Sequence, residues 1–100
     1  MSAVTPAPRG GTRDDIVGEA VLVAAHAWAV ACRAVLLEEG RRVSGGWPGT
    51  LTEARARAGH AVGRALSARS LPALTNAELG TAAKSTYREA RRVWIAEAGR

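Results

Sequence analysis

The stretch that decides the fold is "TRDDIVGEAVLVAAHAWAVACRAVLLEEG", Thr12 to Gly40. Thr12 stands where an N-cap belongs, with Asp15 three positions on. A Thr hydroxyl can accept the amide at that position, and a carboxylate there can reach back to the cap amide. The acid also suits the positive end of the helix dipole. From Ile16 to Leu37 polar residues are few, and Gly40 supplies a stop. The stretch predicts one helix over about residues 13–39, roughly 40 Å long at about 1.5 Å per residue. Glu19, His26 and Arg33 are spaced by seven and fall in one stripe, while Val, Leu, Ala and Trp28 occupy the rest of the circumference. A helix apolar nearly all round is usually covered by neighbours, which makes this one the expected centre of the domain. A membrane span is the rival reading, but three ionisable groups inside the segment are each costly in lipid. The stripe itself is either a solvated edge or a polar seam.

Two further starts repeat the signal. "TLTE" places Thr50 and Glu53 in the same relation, and "TNAE" places Thr75 and Glu78 there. Leu74 and Leu79 add the spacing of a hydrophobic staple around the third box. The second helix is expected over about residues 51–69, closed by Ser70-Leu71-Pro72 because the residue before a proline avoids helical backbone. The third is expected over about 76–98. Residues 1–11, "MSAVTPAPRGG", read as a flexible tail without the basic, apolar, small-residue order of a secretory signal. The fold class expected is therefore all-α, a small three-helix bundle over residues 12–100 with a long central first helix.

Composition limits what such a bundle can be built from. The chain has 100 residues, room for one domain with a small core. It holds three Trp, one Tyr and no Phe, so alanine has to fill much of the interior. That suits close helix packing, or a surface completed by a partner. Cys32 is the only cysteine, which excludes an intrachain disulfide and a cysteine metal cluster. A lone buried cysteine behaves as a small hydrophobe, and the compartment expected is the cytoplasm.

Charge is one-sided. Residues 1–40 hold three arginines against five carboxylates, and residues 41–100 hold eleven bases against four. A basic half is a footprint for an acidic partner such as nucleic acid. The alternative is a genome that favours Arg, Ala and Gly, since Lys84 is the only lysine. On the second helix Leu51, Ala54, Ala58, Ala61, Val62, Ala65 and Leu66 form the apolar face, with Arg55 at its edge. Glu53, Arg57, His60, Arg64 and Ser67 lie opposite at steps of three and four. Gly59 and Gly63 mark either a close crossing or tolerated surface positions. On the third helix Leu79, Ala83, Thr86, Tyr87, Ala90, Val93 and Trp94 point inward, while Lys84, Arg88, Arg91 and Arg92 cluster outward. Bases near a helix C-terminus also complement its dipole, a purely structural use. The connection "GRRVSGGWPG", Gly40 to Gly49, joins Arg41 and Arg42 to Trp47. Trp47 could stack on an unpaired base or fold back as a lid on the core.

These residues point away from catalysis. The sequence has no paired-carboxylate site, no His/Cys/Asp constellation, no phosphate-cradling glycine loop and no metal spacing, so no enzyme, cofactor or metal is expected. The candidate nucleic-acid-binding set is Arg41, Arg42, Trp47, Arg57, Arg64, Lys84, Arg88, Arg91 and Arg92. Partners expected are RNA or single-stranded DNA, held through the backbone, and other protein subunits, copies of this chain among them, with no membrane. A protein adaptor or inhibitor whose basic face meets an acidic surface is the alternative. A helix-turn-helix regulator is a third: "LTNAELGTAAKSTYREARRVW", Leu74 to Trp94, has the entry of that motif but lacks its turn glycine.

The basic faces "ARARAGHAVGR", Ala54 to Arg64, and "KSTYREARR", Lys84 to Arg92, on an Ala/Arg-rich helical chain of this length resemble the small subunit of multi-subunit CRISPR effector complexes. The resemblance covers the helical core by profile, with no diagnostic motif. It implies copies that stack along a complex, basic faces that hold nucleic-acid backbone, a thin core completed by neighbours, and no catalysis by this chain.

Overall fold

The computed structural model describes residues 12–39 and 46–98, so the expected N-terminal tail lies outside the described residues. Three helices follow one another: α1 (Arg13–Glu38), α2 (Leu51–Ser67) and α3 (Asn76–Ala98). Each packs against the other two, giving an all-α three-helix bundle.

The caps set the starts. Thr12 accepts the Asp15 amide at 3.0 Å. At Thr50 both halves of the box form, Glu53 N to Thr50 Oγ1 at 3.1 Å and Thr50 N to Glu53 Oε1 at 3.0 Å. At Thr75 the same pair measures 3.1 and 2.9 Å. Leu74 and Leu79 both lie against the core beside it, as a staple requires. α1 ends one residue before the expected boundary and α2 two before it. The reason at α2 is a Schellman turn: Leu71 N donates to Leu66 O at 2.9 Å and Ser70 N to Ser67 O at 3.0 Å. Ser70 takes the left-handed position with φ of 55°, where a side chain is disfavoured by about 1–2 kcal/mol. Ser70→Gly is therefore expected to stabilise the protein by about 1 kcal/mol in chemical denaturation, with α2 unchanged.

The core has two ends. The aliphatic end gathers Ile16, Val21, Ala58, Val62, Leu66 and Ala82. The other end gathers Trp28, Ala25, Ala29, Leu36, Ala54, Ala90, Val93 and Trp94. Trp28 has no exposed surface and Trp94 almost none. Alanines do fill the interior: Ala25, Ala54, Ala58 and Ala90 are fully enclosed. Cys32 packs beside Trp28 as a hydrophobe, its thiol pKa pushed up by burial.

An ion pair fixes the bundle at the other end. Arg13 donates to both carboxylate oxygens of Glu78 at 2.8 and 3.0 Å, and to the carbonyls of Pro72 and Ala73 at 3.1 and 2.9 Å. Glu78 thus serves the Thr75 box and Arg13 together. Its carboxyl is held down to about 2, first by the Arg13 hydrogen bond and then by the Thr75 amide.

One expectation about α1 needs correction. Its neighbours cover only part of its circumference. Leu22, Val23, Val30 and Leu37 are 54%, 67%, 49% and 57% exposed. Three helices in a bundle each turn one side outward, and α1 is a member of the bundle rather than its enclosed axis. On α2, Leu51 is likewise exposed although periodicity placed it on the apolar face.

Candidate nucleic-acid interface

The capping boxes fix where α2 and α3 begin, and therefore where their basic residues point. Lys84, Arg88, Arg91 and Arg92 are all exposed on α3, as the 3.6-residue period requires. Lys84 and Arg88 border a shallow depression between α2 and α3 together with Leu51 and Tyr87. Exposed Thr81 and half-buried Ser85 lie on the other flank of α3, lining a groove with Arg13 and Gly18 of α1. Arg92 is partly neutralised: its guanidinium pairs with Glu89 through two hydrogen bonds. That pairing holds the Glu89 carboxyl below the usual carboxylate range.

The α2 row does not join this patch. Arg57 lies over the Trp28 ring, 5.4 Å from its centroid, a cation–π contact. It borders a groove between α1 and α2 with Ala24, Ala27, Glu53 and His60. Arg64 is exposed seven residues further along that row. Arg57 and Arg64 therefore lie on a different side of the bundle from Lys84 and Arg88. Arg57 has a structural part as well, covering the ring of the largest core residue.

Arg55 is the residue that periodicity under-rated. Leu51 borders the depression that Lys84, Tyr87 and Arg88 line on α3, and a Cβ at Gly59 would lie 3.5 Å from Leu79 of α3. Arg55, four residues from each, falls on the same row of α2 and is exposed. The sequence signal was there, in Arg55 sharing a helical row with Leu51 and Gly59. Which row faces α3 required the packing.

Trp47 is not displayed for stacking on a base. Its ring is half-buried and meets Trp28, Trp94 and Tyr87 edge-on, with centroids 4.9, 5.6 and 6.4 Å apart. All four aromatic residues of the chain form this one cluster, whose tilted geometry favours ring edges against faces. In a core made largely of alanine, the ring contributes more by packing inward than standing in water. Trp47 is the lid. Arg41 and Arg42 lie outside the described residues. Gly59 and Gly63 show no tight crossing: a Cβ at Gly59 would meet Leu79 at an ordinary 3.5 Å, and one at Gly63 would meet nothing within 4 Å.

Among the described residues no group of three His, Cys, Asp or Glu side chains stands together as a metal site. Comparison of the chain with protein-family models, with curated proteins and with solved structures gives no match.

Proposed function

We propose that this chain is a small basic subunit that holds nucleic-acid backbone, without sequence choice, inside a larger assembly. The observation that carries the reading is the exposed row of Lys84, Arg88 and Arg91 on α3, with Arg55 exposed on the α2 row that holds Leu51. Basic side chains are usual phosphate contacts, and they position a strand without reading it. The resemblance to the small subunit of CRISPR effector complexes supports the same role. RNA or single-stranded DNA suits contacts that position a backbone without reading base edges. A helix-turn-helix role is less suited, because α3 runs unbroken from Asn76 to Ala98, through the residues where that motif would turn.

Four phosphate contacts give a slope of log affinity against log salt of about −3 for a single strand, at about −0.7 per contact. Arg88→Glu with Arg91→Glu is expected to weaken binding to all sequences alike and to flatten that slope. Arg64→Glu, on the α2 row that holds Arg57, is expected to change it little. Filter binding or fluorescence anisotropy with homopolymer strands, over a salt series, measures both. Equal loss from Arg64→Glu would break the assignment of the patch. A second reading has its own observation: Leu51 and Ile95 are exposed on the same side as these bases, and apolar anchors among arginines suit an acidic protein surface. Absence of binding at low salt, with helicity intact, would favour that adaptor.

A further inference from the structure

The depression between α2 and α3 has a lining that suits one kind of guest. Its volume is about 360 Å³, and it is lined by Leu51, Lys84, Tyr87 and Arg88. Among the described residues no carboxylate lines it. Leu51 is 49% exposed, a large apolar side chain that the bundle leaves in water at the first turn of α2. Tyr87 is half-buried. Its ring packs against the core and meets Trp47 edge-on, with centroids 6.4 Å apart. The core therefore fixes Tyr87 in place while it also lines the depression. Lys84 and Arg88 lie on either side of Tyr87 in the sequence of α3, one turn apart, or about 6 Å along the axis.

We propose that this depression takes one unpaired nucleobase, stacked on Tyr87 and walled by Leu51, with the phosphates flanking that nucleotide held by Lys84 and Arg88. The inference rests on the nucleic-acid reading above and narrows it to a partner that is single-stranded. Every base has a π-face, so stacking on an aromatic ring tolerates any sequence, in keeping with contacts that read no base edge. In a duplex the base is paired and would have to be flipped out of its stack, at a cost of unpairing and unstacking. Two cations without a carboxylate beside them draw an anionic strand toward the depression. An acidic peptide would meet the same cations, but a wall made of an aromatic ring and a leucine gives more contact to a flat ring than to short carboxylate side chains. The aromatic offered for stacking is thus Tyr87, whose neighbour Trp47 is committed to the core.

Fluorescence anisotropy with a labelled oligo-dT strand, and with the same strand carrying an abasic spacer in place of every base, separates stacking from charge. The two strands share their phosphates, so both affinities are expected to fall with salt at the same slope. The abasic strand is expected to bind about tenfold more weakly at each salt concentration, as fits one stacked base. Tyr87→Phe keeps a ring and is expected to keep that gap, while Tyr87→Leu is expected to bind the two strands alike. Leu51→Ala, an exposed substitution, is expected to narrow the gap, and it keeps the test open should circular dichroism show Tyr87→Leu to be unfolded. Equal affinity of the wild-type protein for the two strands would overturn the stacking and leave the backbone reading standing. A gap unchanged in folded Tyr87→Leu, or in Leu51→Ala, would overturn the assignment to this depression. No binding to either strand at low salt would end both readings and leave the depression to an acidic protein surface.

Discussion

Trp28→Ala is expected to remove about 3–5 kcal/mol of stability, the usual range for truncating a buried Trp. Domains of this kind hold about 5–15 kcal/mol in all, and a small alanine-rich core belongs at the low end. The variant should therefore be largely unfolded at moderate temperature. Trp28 has no exposed surface and is the floor on which Trp47 and Arg57 rest. The residues enclosed with it are mainly Ala25, Ala29, Ala54 and Ala90, whose methyl groups cannot reach into the space left behind. Trp28→Phe should lose much less. It keeps a ring in the cluster and removes an indole Nε1 that is buried with no hydrogen-bond partner, a group that destabilises while unpaired. Denaturant midpoints of the two variants decide the matter. A Trp28→Ala protein within about 1 kcal/mol of wild type would mean that the core does not close around this side chain.

The three helices were legible because each has its own start chemistry, and the hydroxyl-to-amide bonds at Thr12, Thr50 and Thr75 form as the spacing requires. Burial of Trp94 was legible from periodicity, and that of Trp28 only from a helix apolar nearly all round. Less legible was the sharing of each helix's circumference among neighbours. A helical wheel reports which residues lie together, and in α1 nearly every side is apolar, so it could not say which side the bundle would leave open. Arg55 and Arg57 are two residues apart on α2, and only the packing assigns one to the α3 side and the other to Trp28. The bond network of Arg13 joins residues more than fifty positions apart, beyond any local pattern. Trp47 lies in a glycine-rich connection without a period, and both of its roles fitted the sequence. Its position is fixed by the other aromatics.

That position makes Gly49 a sensitive point. A Cβ there would stand 2.6 Å from Cε2 of Trp47 and 2.7 Å from Cζ2 of Trp28, closer than carbon atoms approach in folded proteins. The demand is for space beside two rings, with no left-handed backbone involved. Neither ring can yield cheaply: Trp28 is enclosed, and Trp47 is held between Trp28 and Trp94. The backbone is restrained too, because Thr50 is committed to the α2 capping box. Gly49→Ala is therefore expected to destabilise by about 1–3 kcal/mol, as overpacking does, and to push Trp47 partly into water, shifting tryptophan emission to the red. Two other glycines serve as controls. Gly46 has nothing within 4 Å of its Cβ position, so Gly46→Ala should melt with wild type. Gly63 is open in the same way inside a helix, so Gly63→Ala should gain up to about 1 kcal/mol. The order expected in thermal melts is Gly63→Ala above wild type, Gly46→Ala level with it and Gly49→Ala below. If Trp47 instead stood outward, ready to stack on a base, Gly49→Ala would leave both the melt and the emission unchanged.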